Sequence, residues 1–220
     1  MVSALVSVVL VPYGLSRYVG EHGIAAVAST GLVIGAIVAP SVIVAFYTVA
    51  ELSLGSLERL LVLPVPRYTV ILSRLLASSI ANLAPLTMAI ALAAGLHGLQ
   101  LRVGAMPLVY VASMAAAMGV SGLALLIIGP LKSIHQISIV VSVLGVILTN
   151  LSPLLFPLAV LPTWAKVAVA LNPLTGAVVI SRSALLGSEA DPLIALSMIT
   201  ISISWLLVGM LVISRRMEKV

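Results

Sequence analysis

Side chains that could do covalent chemistry are few in this sequence. Its 220 residues include six acidic residues, three histidines and no cysteine. The lack of cysteine excludes disulfides and thiolate metal sites. None of the three lysines, Lys132, Lys166 and Lys219, follows a glycine, so the GxxxxGK[ST] loop that cradles phosphate is absent. The sequence therefore predicts no ATPase site of its own, no catalytic residue and no metal site.

The other titratable groups lie at the edges of apolar runs. His22, His97 and His135 fall at predicted helix ends, which favours loop or interfacial roles, and no HExxH pair occurs. No carboxylate falls in the middle of a predicted span. Carriers driven by protons or sodium usually place an ionisable group near the membrane midplane. The pattern therefore argues against an ion-coupled carrier, and it offers no candidate pair for intramembrane proteolysis.

The chain that must position these residues is mostly apolar. Hydrophobic residues make up 62% of it and charged residues 8%, whereas soluble domains carry about 25% charged residues. This composition predicts an integral membrane protein with lipid as its surroundings. The net charge is +5, but the basic residues are scattered singly and form no stripe, so we expect no nucleic-acid partner.

Charged residues divide the sequence into about six runs long enough to cross a bilayer, which takes about 20 residues of helix. The predicted spans are 1–15, 24–50, 69–96, 105–128, 137–161 and 193–213. The segment 162–192 is less apolar, and its apolar pieces are too short to cross. It predicts two short interfacial or re-entrant helices. The expected fold is all-α and polytopic, with one transmembrane domain over residues 1–220.

Lysine and arginine are unequally shared between the two sides of these spans, and cytoplasmic loops usually carry more of them. One side would carry seven: Arg59, Arg67, Arg74, Lys132, Arg215, Arg216 and Lys219. The other would carry four: Arg17, Arg102, Lys166 and Arg182. The bias predicts a multi-pass protein of the cytoplasmic membrane with both termini in the cytoplasm.

Uncharged polar residues within the spans are predicted to hold helices together and not to bind substrate. They are Asn82, Thr87, Ser138, Ser142 and Thr149. Small residues at a spacing of four, such as Gly31 with Gly35 and Ala115 with Gly119, let helix backbones approach closely, within one chain or between two.

The segment 51–67 reads ELSLGSLERLLVLPVPR. It leaves the second span at a glutamate, turns at Gly55 and breaks at two prolines. Between the turn and the break, Glu58 and Arg59 would lie on the polar side of a short amphipathic helix and Leu57 on its apolar side. The residues alone leave two interpretations open: a helix lying across the interface, or a loop whose charges anchor two helix ends.

This segment closely resembles the cytoplasmic segment of the type-2 ABC exporter permeases. There a glutamate precedes Gly-Thr-Leu-Glu, a leucine pair and Pro-Val-Ser-Arg; here Ser56 replaces the threonine and Pro66 the serine. In that family the segment is the coupling helix that docks on the ATPase subunit. The resemblance implies a coupling role for Glu51, Gly55, Leu57, Glu58, Arg59, Pro64 and Arg67.

A second segment, 156–187, is similar to the extracellular region between the fifth and sixth helices of the same family. The matching residues are Phe156, Pro157, Pro162, Trp164, Asn172, Pro173, Leu174, Thr175, Arg182 and Gly187. Trp164 suits the membrane interface, and Asn172 can cap a helix that begins at Pro173.

The resemblance implies a membrane-spanning permease subunit of an ABC exporter. It would pair with a second permease subunit, identical or different, and with separate ATPase subunits that hold the ATP and Mg²⁺; the permease would bind no cofactor itself. The alternative is a membrane-embedded assembly or sensor protein without a transport cycle. The residues do not name a substrate.

Overall fold

A computed structural model describes residues 11, 22–55, 66–97, 102–155, 161–187 and 192–217. Every regular element among them is helical, which confirms an all-α polytopic membrane fold. In chain order the helices are α1 (His22–Gly35), α2 (Val38–Ser53), α3 (Arg67–Ala81), α4 (Leu83–His97), α5 (Met106–Ile128), α6 (Ile134–Asn150), α7 (Thr163–Ala170), α8 (Leu174–Leu186) and α9 (Pro192–Met217), with a 3-10 turn at Val103–Ala105.

Four helical stretches in the described part of the chain are long and apolar enough to cross a membrane. They are Val27–Ser53, Tyr68–Gly95, Met106–Ile128 and Ile199–Met217. The count becomes five if α7 and α8, which are bent by 101°, form one broken span. The predicted count of six is not confirmed, and the predicted first span, apart from Val11, lies outside the described residues.

The predicted span 137–161 is where the sequence prediction was wrong. Its helix, α6, has 17 residues and ends at Asn150, followed by an irregular turn through residues 151–155. Pro153 explains the early end, because proline disfavours helical geometry in the residue before it and cannot donate to a helical carbonyl. The sequence stays apolar past this point, but the helix ends.

Proline also explains two breaks within long spans. The first break, at Ala36–Ile37, separates α1 from α2, and the second, at Asn82, separates α3 from α4. Pro40 lies four residues after Ala36, and Pro85 lies four residues after Ala81. Neither proline has an N–H to donate to the carbonyl four residues before it, so one helical hydrogen bond is missing at each break. Each pair of helices continues through its break as one candidate span.

The central element of the bundle is α5, which contacts α2, α3, α6, α8 and α9. Most of its buried residues are alanine, glycine, serine or valine, and such small side chains let neighbouring backbones approach. The approach to α9 is closest at Gly122 and Gly209. A Cβ on Gly122 would lie 2.6 Å from the carbonyl oxygen of Trp205, and one on Gly209 would collide with the carbonyl of Gly122.

Gly122→Ala is therefore expected to destabilise the protein, because the obstacle is backbone and cannot rotate away. Overpacking of this kind typically costs about 1–3 kcal/mol. Thermal unfolding in detergent would measure the loss. The matched control is Gly145→Ala on α6, where a Cβ would meet no atom within 4 Å, and alanine there should be neutral or stabilising. Equal unfolding midpoints for the two variants would contradict the close α5–α9 packing.

Candidate functional site

The predicted coupling segment is described at its two ends. Glu51 lies in the last turn of α2, and Gly55, two residues beyond the helix, has a φ of +73°. Glycine adopts that left-handed conformation without strain, so the predicted turn at Gly55 is present. Arg67 begins α3. Leu57, Glu58, Arg59 and Pro64 lie outside the described residues, and their docking role stays a prediction.

An ion pair joins the two helices on either side of this segment. Nη2 of Arg74 on α3 lies 2.6 Å from Oε2 of Glu51 on α2, and both side chains are about one-third exposed. A partly exposed pair contributes little to stability. Its effect is geometric, since it ties the helix that enters the coupling segment to the helix that leaves it. Glu51 thus has a partner within the chain in addition to its predicted role in coupling.

A second link starts at the C-terminal end of α9. The guanidinium of Arg216 donates to the carbonyl oxygens of Gly129 and Leu131, just past α5, the latter at 2.7 Å, and to Oγ of Ser53 at 3.1 Å. Ser53 is the last residue of α2. The C-terminal ends of α2, α5 and α9 therefore meet at one arginine, beside the start of the coupling segment.

The second predicted motif forms the sharp corner between α7 and α8. The helix begins one residue later than predicted, at Leu174, with Pro173 at the N-cap position. The side-chain carbonyl of Asn172 accepts from the N–H of Leu174 at 3.0 Å, so Asn172 still satisfies an N–H at the start of α8. Its amide donates to the carbonyl of Leu148 near the end of α6 at 2.8 Å. Thr175 closes the corner by donating to the carbonyl of Val169. Asn172 therefore both binds the start of α8 and attaches the corner to α6.

This corner lies inside the bundle and not on its surface. Asn172, Leu174 and Thr175 are buried. Ser202 on α9 donates to the carbonyl of Pro173 at 2.9 Å, and a Cβ on Gly119 would lie 2.9 Å from Cβ of Pro173. Gly119 is nine residues before the end of α5, or about 14 Å along a helix. The corner therefore reaches about mid-length of α5.

From this corner α8 runs back along α5 to Gly187. Gly187 caps the helix in the left-handed conformation, with φ of +72°, and a Cβ there would lie 2.7 Å from the guanidinium of Arg102, just before α5. Pro162 and Trp164 are exposed at the other end of the segment, Trp164 at 77%. Phe156 and Pro157 lie outside the described residues.

Arg182 is a buried cation in the middle of α8. Its guanidinium donates to the carbonyl oxygen of Leu154, in the turn after α6, at 2.6 Å and to that of Val27 on α1 at 3.2 Å. Gly31 makes room for this arrangement, because a Cβ there would overlap the backbone of Leu154. The GxxxG pair of α1 therefore serves a close approach within this chain.

A groove of about 510 Å³ opens between the α1–α2 pair and α6. Apolar residues line most of it, together with Ser142, Thr149 and Asn150 of α6. All three polar side chains donate to carbonyls of α6 itself. The expectation that Ser142 and Thr149 hold helices together was therefore wrong, because an intrahelical carbonyl four residues back is the nearer acceptor.

Two other polar residues do connect helices. Asn82 donates to Oγ of Ser41 on α2 at 3.4 Å. Thr87 on α4 shares a hydrogen bond of 3.0 Å with Tyr110 of α5. Within the described ranges, no group of three or more histidine, aspartate or glutamate side chains could hold a metal ion.

Sequence reasoning assigned Arg74 and Arg216 only to the charge count, and did not find their partners. A signal for Arg216 was present in the helical period. Ile213 and Met217 are buried, and Arg216 shares their face of α9, whereas the neighbouring Arg215 points outward and is exposed. For Arg74 and Ser53 the sequence held no comparable signal.

Comparison with known proteins gives one family match. A family model described as ABC-2 type transporter matches residues 2–186, a range that contains the whole of 51–67 and most of 162–192. No curated protein matches the sequence.

Proposed function

The chain belongs to the ABC-2 type transporter family, and from this we propose that it exports a substrate, driven by ATP that a separate ATPase subunit hydrolyses. As a member of that family it is a permease subunit of an ABC transporter and a multi-pass membrane protein. The observation that carries the proposal is the family match over residues 2–186, because it includes the segment that resembles a coupling helix.

The proposed mechanism begins at residues 51–67. ATP-driven closure of two ATPase subunits would push on Glu58 and its neighbours, and α2 and α3 would carry the displacement into the membrane. The Glu51–Arg74 ion pair supports this, because it links α2 and α3 beside the segment. The permease itself does no covalent chemistry, so its turnover would follow a conformational cycle that the ATPase drives.

The proposed complex contains two permease subunits, identical or different, and substrate would pass between them. The groove beside α6 supports this part of the proposal. Val146, which lines the groove, is 62% exposed although it is apolar, and the groove lining includes no charged or aromatic side chain. Such a lining would contact apolar or amphipathic surface and would not bind an ion by charge.

The proposed orientation places both termini in the cytoplasm, in the cytoplasmic membrane, with 51–67 on the cytoplasmic side and 162–192 on the external side. The seven-to-four distribution of basic residues supports it. A reporter fused after Val220 is expected to be cytoplasmic, and one inserted near Glu189 external. Detection of both reporters on the same side would rule this topology out.

The direct test of function is purification of the tagged permease from its native membrane. An ATPase subunit with a phosphate-binding loop is expected to co-purify, and its ATP hydrolysis to rise when the permease is present. If no such ATPase co-purifies, and none is encoded beside the permease, the result would favour the assembly or sensor alternative.

A further inference from the structure

We propose that Arg216 is a positioning residue that transmits movement of the coupling segment to α5 and α9. This inference rests on the proposed function, since it presupposes that an ATPase pushes on residues 51–67. It assigns the transmission to one side chain at the C-terminal end of α9, far from the coupling segment in sequence.

The geometry of Arg216 connects three helices at one point. One nitrogen of its guanidinium donates to the carbonyls of Gly129 and Leu131, and the other donates to Oγ of Ser53. The hydroxyl of Ser53 donates in turn to the carbonyl of Val49 on α2, so its oxygen is oriented to accept from the arginine. Ser53 thus binds Arg216 at the residue where α2 ends and the coupling segment begins.

Helix termini explain why an arginine serves here. The last carbonyls of a helix have no N–H partner within it and carry partial negative charge. Gly129 is the C-cap residue of α5, and Leu131 lies two residues beyond it. Arg216 donates to both carbonyls. Its planar, forked guanidinium can reach acceptors on two different helices at once, whereas the ammonium of lysine acts as a single point charge.

A purely structural role makes a different prediction. If Arg216 only capped α5, the contact with Ser53 would be dispensable, and loss of the arginine would lower stability without separating ATPase binding from movement of the helices. A transmitting role requires that separation. Binding of the ATPase uses residues 55–67 and should survive, while the response of the membrane helices to nucleotide should fall.

The experiment uses the permease–ATPase complex and a single reporter cysteine. The chain contains no cysteine, so Leu108→Cys, near the start of α5 and 52% exposed, gives one labelling site on a helix to which the movement would be transmitted. The rate of maleimide labelling would be compared with and without ATP and Mg²⁺. The variants are Arg216→Gln, Arg216→Lys and Ser53→Ala, and the control is Arg215→Gln, the same loss of charge at the exposed neighbour.

The expected result for Arg216→Gln is ATPase co-purification within about twofold of the parent, with a nucleotide-dependent change in labelling reduced at least about fivefold, a typical size for loss of coupling between sites. Arg216→Lys should give a partial loss, and Arg215→Gln should match the parent. Ser53→Ala, which removes the acceptor on α2, should reduce the change by a similar factor of about five or more. Because that alteration is small, Ser53→Ala decides the question if Arg216→Gln fails to insert or fold.

Two results would overturn the inference about Arg216. One is a response of Arg216→Gln, or of a folded Ser53→Ala, equal to that of the parent. The other is loss of ATPase binding together with the response, because Arg216 would then act on docking. If the parent itself binds no ATPase, or its labelling ignores nucleotide, the proposed function fails instead, and the two failures are therefore distinguishable.

Discussion

Glu58→Arg is expected to separate the ATPase from the permease while the permease stays folded. The sequence places Glu58 outside the membrane spans, on the polar side of the coupling segment, so its replacement removes no contact within the apolar core. At a partly desolvated interface, a charge of the wrong sign costs several kcal/mol. Since each 1.4 kcal/mol is a factor of ten, affinity for the ATPase should fall by about 100-fold or more.

Co-purification of the ATPase and permease-stimulated ATP hydrolysis measure this effect. Membrane insertion and the thermal unfolding midpoint should remain near those of the parent. Glu189→Arg is the matched control, because it makes the same charge reversal in the segment predicted to lie on the opposite side. Unchanged binding and stimulation for Glu58→Arg would mean that Glu58 faces solvent only, and the coupling role of 51–67 would lose its main support.

Arg182→Ala is expected to destabilise the protein. The change removes the donor to the carbonyls of Val27 and Leu154. A polar group left buried without a partner costs about 1–3 kcal/mol. Inside an apolar bundle, water does not replace the lost hydrogen-bond donor. The carbonyl of Leu154 would lose this donor, whereas that of Val27 still accepts from Oγ1 of Thr30. One carbonyl thus accounts for about 1–3 kcal/mol, which corresponds to a decrease of roughly 2–12 °C in the unfolding midpoint for a chain of this size.

Unfolding of the purified permease in detergent would measure the decrease. Arg182→Lys should lose less, because it keeps a donor but not the fork. Arg215→Ala, at the exposed arginine near the end of α9, is the control for loss of charge alone and should leave the midpoint unchanged. If Arg182→Ala melted like Arg215→Ala, the link between α8, α1 and the turn after α6 would contribute nothing to stability.

Three side-chain hydrogen bonds attach the α7–α8 corner and α8 to other helices of the bundle. Asn172 binds α6, Ser202 of α9 binds Pro173, and Arg182 binds α1. The segment that resembles the family's extracellular region is therefore attached to the helices beside the groove as well as to α9. A movement of α6 would displace α8. Asn172 binds the carbonyl of Leu148 near the end of α6, and Arg182 binds the carbonyl of Leu154 in the turn after it.

The sequence by itself determined the class of protein and its local structure. Apolar runs of about 20 residues with few charges have one ordinary environment, the bilayer. Composition thus predicted the helical membrane fold, and turn chemistry predicted the turn at Gly55 and the role of Asn172 at the start of α8. These signals are local, since hydropathy, capping and glycine turns depend on residues within a few positions of one another.

Tertiary structure alone decided where the helices meet. Arg182 binds a carbonyl 155 residues away and Arg216 binds a hydroxyl 163 residues away, and no local pattern specifies such pairs. The topology count places the two arginines on opposite sides of the membrane. Their hydrogen bonds, however, depend on which backbone carbonyls come within reach. The end of α6 at Asn150 has both kinds of cause. Pro153 disfavours a continued helix locally, and the packing of Leu154 against Gly31 and Arg182 then fixes the position of the turn that follows.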